Sequence, residues 1–110
     1  MKIICTPLTS EAMSLLDTNS CPDHLLESIS LTLEEYDQIQ KAGVLEKING
    51  ALGKMIDDYE DETINTPNDL RKSLMILKAN LTPENSEIIN KVIHLTTVAI
   101  NKNTGLYFFF

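Results

Sequence analysis

Cysteine is scarce: Cys5 and Cys21 are the only two in 110 residues. Two are too few to staple a domain of this length, so its stability has to come from a packed core, and both are expected to be free thiols. Glycine and proline number four each, which excludes fibrous and low-complexity chains. Long apolar runs are missing as well, none approaching the roughly 18–20 residues that cross a bilayer. After Lys2, Ile3, Ile4 and Cys5 the chain turns at once to Thr6, Pro7, Thr9, Ser10 and Glu11, so no secretory leader is expected and the expected address is cytoplasmic. Basic residues are outnumbered. Nine Lys and Arg against sixteen Asp and Glu leave a formal net charge of -7, which repels nucleic-acid phosphates and anionic membrane surfaces and leaves basic or neutral proteins as partners. The one modest basic patch, Arg71, Lys72 and Lys78, is too small to read as a nucleic-acid footprint. Phosphate-cradling glycine loops, nucleophile elbows and metalloprotease helix motifs are absent, so neither catalysis nor a cofactor is expected.

What is present is ordinary globular material: 43% hydrophobic and 23% charged residues in a length that suits a single domain, residues 1–110. Lys2 to Cys5 predict a short strand ending before Pro7. Ser10 is placed to cap a helix carrying Ala12, Met13, Leu15 and Leu16. A second short helix is predicted from Pro22, with Leu25, Leu26 and Ile29 on its buried side. Thr32 and Glu35 have the spacing of a capping box, flanked by Leu31 and Tyr36 as a hydrophobic staple. The helix they start is predicted to reach Ala42, with Gly43 a stop or kink. Beyond it Leu45, Ile48, Leu52, Met55, Ile56 and Tyr59 fit one helical face, in which Gly50 and Gly53 suggest close packing against a neighbour. Thr66-Pro67 and Thr82-Pro83 mark two more helix starts, the first leading Leu70, Leu74 and Leu77 inward, the second Ile88, Val92, Leu95 and Ala99.

The chain closes on Leu106, Tyr107, Phe108, Phe109 and Phe110, which hold four of its six aromatic residues. Strand propensity is high there and both alternating faces are apolar. Two readings follow: a buried strand paired with Ile3 to Cys5, or an exposed strand that docks into a partner or seeds a homodimer. The expected fold is therefore α+β and helix-rich, with four to six helices on a minimal two-stranded sheet made from the two chain ends.

Asp57, Asp58, Glu60, Asp61 and Glu62 put five carboxylates in six residues, with no basic residue between Lys54 and Arg71. A solvated helix end would explain them, although acids at a helix C-terminus oppose its dipole by a few tenths of a kcal/mol. A cationic partner would explain them too, because opposed potentials speed association and reject wrong partners. With Tyr59 as an amphipathic anchor, these six residues are the candidate partner-binding surface. They lack the ligand spacing and central glycine of a calcium loop. Cys21 and His24 have the gap of a zinc half-site that Cys5 and His94 would have to complete from far away in sequence, so no metal site is assigned. A nucleophilic pair of Cys21 with His24 or His94 needs an orienting third group and a pocket. Asn80-Leu81-Thr82 matches a glycosylation acceptor but reads better as a helix start.

A compact acidic chain with an Asp-Asp-Tyr-Glu-Asp-Glu cluster and a closing Gly-Leu-Tyr-Phe-Phe-Phe strand resembles the small immunity proteins of bacterial toxin systems. The resemblance implies occlusion: carboxylates covering the cationic cleft of a toxin. The expected function is thus a non-enzymatic acidic protein-binding module. A self-assembling protein and a small enzyme with a pocket near Cys21, His24 or His94 are the alternatives.

Overall fold

The apolar start and the aromatic end of the chain both become strands, and they lie side by side. The computed structural model describes residues 2–110. Strand β1 (Lys2–Pro7) pairs antiparallel with β4 (Leu106–Phe109), setting Ile3 opposite Phe109, Ile4 opposite Phe108 and Cys5 opposite Tyr107. The sheet is larger than two strands, however. β2 (Leu26–Leu31) joins the free side of β1 and β3 (Asp61–Ile64) the free side of β4, giving a four-stranded antiparallel sheet in the order β2-β1-β4-β3. The helix expected from Pro22 is only a short 3-10 turn, Asp23–Leu25. After it Ser28, Ile29, Ser30 and Leu31 alternate with the period of a strand, leaving the two serines exposed while Leu31 is buried.

Five α-helices complete the fold: α1 (Ser10–Asp17), α2 (Leu33–Ala42), α3 (Val44–Leu52), α4 (Pro67–Ala79) and α5 (Ser86–Lys102). The capping box forms as the spacing requires. The Glu35 amide donates to Thr32 Oγ1 at 3.0 Å and the Thr32 amide to Glu35 Oε1 at 2.9 Å, a cap contributing about 1 kcal/mol. Thr66 caps α4 with Pro67 in its first turn. The other starts shift slightly. Thr9 instead of Ser10 caps α1. α5 begins beyond a turn in which Thr82 and Asn85 exchange hydrogen bonds, the Thr82 amide to Asn85 Oδ1 at 2.9 Å and the Asn85 amide to Thr82 Oγ1 at 3.4 Å.

Gly53 adopts φ 66° and ends α3 at Leu52, so the helical face expected to reach Tyr59 is cut short and Met55, Ile56 and Tyr59 enter a loop. The close packing expected at Gly50 and Gly53 is not there, since a Cβ at either would meet nothing within 4 Å. What Gly53 supplies is its left-handed backbone.

Helices α2 to α5 bury one face of the sheet, where Ile4, Leu31, Ile64, Leu106 and Phe108 meet Ile39, Ile48, Leu77, Ile89 and Val92 in one continuous core. α1 packs against β1, and strand alternation puts the buried Cys5 and Tyr107 on the sheet face opposite Ile4 and Phe108. Because β4 is hydrogen-bonded on both sides, Leu106, Tyr107, Phe108 and Phe109 form no open edge, and of the two readings of residues 106–110 the strand paired with Ile3 to Cys5 is the one that forms. Phe110 lies just past the ladder, half-buried. Among the described residues no helix is long and apolar enough to cross a membrane.

Candidate protein-binding face

The acidic run lies on a turn and an edge strand, not on a helix end. After Ile56, a core residue, Asp57 starts a tight turn closed by the Glu60 amide donating to the Asp57 carbonyl at 3.1 Å. The Asp57 carboxylate also accepts from the Asp58 amide at 2.8 Å, a local bond typical of aspartate at a turn. Tyr59 is the turn's third residue and has φ 64°, a left-handed backbone ordinarily given to glycine or asparagine, whose cost for other residues is about 1–3 kcal/mol. Its side chain is 94% exposed. That backbone holds an aromatic ring out in solvent.

The five carboxylates divide by what they touch. Asp58 pairs with Lys2. Glu62 stitches the preceding loop to β3: its carboxylate accepts from the amides of Met55 and Thr63, each at 3.0 Å, and lies 3.9 Å from Lys54 Nζ. Asp57, Glu60 and Asp61 are exposed and form no ion pair among the described residues. Charged side chains on the edge strand also discourage unwanted pairing there. Two large exposed apolar side chains, Leu33 and Tyr59, line one cleft on this side. An aromatic and apolar centre with a charged rim is the anatomy of a protein interface.

Behind Tyr59 is a feature with no local signal in the sequence. The Lys2 ammonium lies 4.4 Å from the centre of the Tyr36 ring, 5.6 Å from Phe110 and 5.8 Å from Tyr59. The Asp58 carboxylate hydrogen-bonded to it holds it above its ordinary pKa range. Tyr36 and Phe110 meet edge to face at 5.4 Å, and Phe110 meets Phe108 edge to face at 5.7 Å, so these rings run from the surface into the core. The Tyr36 hydroxyl accepts from Gln40 Nε2 at 2.7 Å. A cleft of about 410 Å³ opens here, lined by Lys2, Leu31, Thr32, Leu33, Tyr36, Tyr59 and Phe110.

The cysteine and histidine candidates lie on separate elements: Cys5 on β1, Cys21 in the loop after α1, His24 in the short turn before β2 and His94 on α5. Cys5 is buried in the sheet, where loss of solvent pushes its thiol up to about 11, far from a reactive thiolate at neutral pH. Cys21 lies in the loop after α1, its thiol 3.6 Å from the Pro22 carbonyl oxygen. His94 Nε2 is hydrogen-bonded to Glu27 at 2.7 Å beside an open cleft of about 310 Å³. Ser28 lines the same cleft, and among the described residues no hydroxyl or thiol is hydrogen-bonded to that imidazole. Among the described residues no group of three His, Cys, Asp or Glu side chains could hold a metal ion. Another cleft, about 540 Å³, lies between α2 and the turn before α5, with Lys41 and Glu84 among its lining residues. Comparison with protein-family models, with curated proteins and with solved structures gives no match.

The packing of Tyr107 has a consequence at high pH. Burial, reinforced by Asp17, pushes its phenol up to about 12. Cys5 and Tyr107 therefore hold their protons more tightly in the folded chain than in the unfolded one. Their contribution to stability is complete below the ordinary thiol value of 9.0 and is lost as pH rises through about 11 for Cys5 and about 12 for Tyr107. Thermal melts followed by circular dichroism are expected to fall in midpoint above pH 9, with tyrosinate absorbance of one of the three tyrosines appearing only on unfolding. Full ionisation of all three without loss of structure would contradict this packing.

Proposed function

We propose that this chain is a non-enzymatic binding module that captures a basic protein on the face built from Asp57, Tyr59, Glu60 and Asp61. Neutralising a basic toxin, as the resemblance to immunity proteins implies, is the specific role this chemistry fits. One observation carries the reading: a nearly fully exposed tyrosine in a left-handed backbone, set among three carboxylates that no lysine or arginine of the described chain neutralises. Unpaired carboxylates around an aromatic anchor steer a cationic protein toward the ring and hold it in register. Asp58 and Glu62 contribute to the negative field while serving the fold. The self-assembling alternative loses its main support, since the strand it would use is already paired on both sides.

The test is a photo-crosslinking amino acid placed in the cell at position 59 and, as a control, at the exposed Met75 of α4. A single basic protein is expected to be captured from position 59 and not from position 75. Capture should be lost when Asp57, Glu60 and Asp61 are changed to their amides. Equal capture from both positions, or capture of an acidic protein, would end the proposal.

A further inference from the structure

We propose that Tyr36, Tyr59 and Phe110, closed on one side by the Asp58 carboxylate, form a cage for an alkylammonium group, and that Lys2 is its internal occupant, displaced when a lysine of the basic partner enters. The partner comes from the binding reading above, whereas the cage rests on its own geometry. Attraction between a cation and a ring face extends to about 6 Å, and all three rings lie within that distance of the Lys2 ammonium. Two walls are fixed, because the rings of Tyr36 and Phe110 brace each other and Phe110 is braced on the core residue Phe108. The third wall, Tyr59, stands on the exposed turn and is 94% exposed. The cleft beside them is open, with Leu33 on its rim 87% exposed.

Charge and chemistry name the occupant. Three π faces with one carboxylate suit a single positive charge on an apolar stem, and the chain demonstrates the fit with a lysine of its own. Exchanging one ammonium for another preserves the ring and carboxylate interactions. Lys2 sits at the end of β1 opposite Leu31, where its side chain can swing to solvent with the strand hydrogen bonds intact. An internal occupant competes at a high effective concentration, which weakens every free ligand. It also keeps the rings covered until a partner brings enough further contact to win the exchange.

The experiment is a proton NMR titration with n-butylammonium, the lysine side chain without its backbone, into the wild-type chain and Lys2→Ala. Lys2→Ala is expected to bind it saturably and at least tenfold more tightly than wild type, with upfield ring-current shifts on the methylene next to nitrogen. Adding Tyr59→Ala should abolish that gain. Lys2→Ser serves if Lys2→Ala does not fold. In the unaltered protein the Lys2 ε-methylene protons are expected to resonate upfield of the other lysines. Unshifted Lys2 protons, or equal affinity in wild type and Lys2→Ala, would overturn the cage. If the acid-to-amide changes abolish capture of the basic partner while Lys2→Ala leaves butylammonium binding unchanged, only the cage fails. If butylammonium binds Lys2→Ala as described but position 59 captures no basic protein, the cage stands and the partner reading fails.

Discussion

Phe108→Ala is expected to remove a large part of the margin that keeps this chain folded. The ring is 1% exposed, lies between Ile4 on β1 and Glu62 on β3 in the register of the sheet, and supports Phe110 from below. Truncating a buried phenylalanine costs about 3–5 kcal/mol, the transfer free energy of the ring plus the cavity left behind. A domain of this size has about 5–15 kcal/mol in all. Urea denaturation should show a midpoint lowered by a third or more, with the slope unchanged. Because Phe110 rests on Phe108 and the Tyr36 ring on Phe110, the same substitution should blur the upfield shift of Lys2, linking core packing to the surface. A loss below about 1 kcal/mol would mean that the aromatic strand is not the centre of the core.

The second large effect concerns association, not folding. Changing Asp57, Glu60 and Asp61 to Asn, Gln and Asn removes three negative charges from a chain whose formal net charge is -7. All three side chains are exposed, so stability should change by no more than about 0.5 kcal/mol. Binding of the basic partner should slow much more, because steered association reaches about 10⁸–10⁹ M⁻¹s⁻¹ where an unsteered encounter gives about 10⁵–10⁶. A roughly tenfold fall in association rate at low salt, with the dissociation rate nearly unchanged, is the expected pattern for rim charges. Stopped-flow mixing of the captured partner with both forms measures it. An effect confined to dissociation would place these carboxylates in a desolvated contact, not in the steering field.

Much of the helical part was legible because it depends on neighbours in sequence. Thr32 with Glu35, and Thr66 with Pro67, announce their helices through spacings of a few residues, and both caps form. Ile3 to Cys5 and the aromatic end carry enough strand propensity to be recognised, and they do pair. β2 was hidden because Leu25, Leu26 and Ile29 imitate a helical face, and only pairing with β1 decides in favour of alternation at Ser28 to Leu31. β3 was hidden by its charge. Asp61 and Glu62 are poor strand formers that a free edge of β4 nonetheless organises. The acidic run was visible in composition, but its turn was not, since a tyrosine gives no warning of a left-handed backbone. The cage was invisible for a plainer reason. Lys2 on β1, Tyr36 on α2, Tyr59 on the turn before β3 and Phe110 after β4 are brought together by the fold across nearly the full length of the chain.

The most direct measurement is the equilibrium affinity for the captured basic partner across a salt series from about 50 to 300 mM, over which the screening length shortens from beyond 10 Å toward the contact distance. The wild-type chain should lose affinity steeply as salt rises, and the Asp57→Asn, Glu60→Gln, Asp61→Asn form should start weaker and vary little. Affinity independent of salt in the wild type, or curves of equal slope for the two forms, would contradict binding through the acidic face.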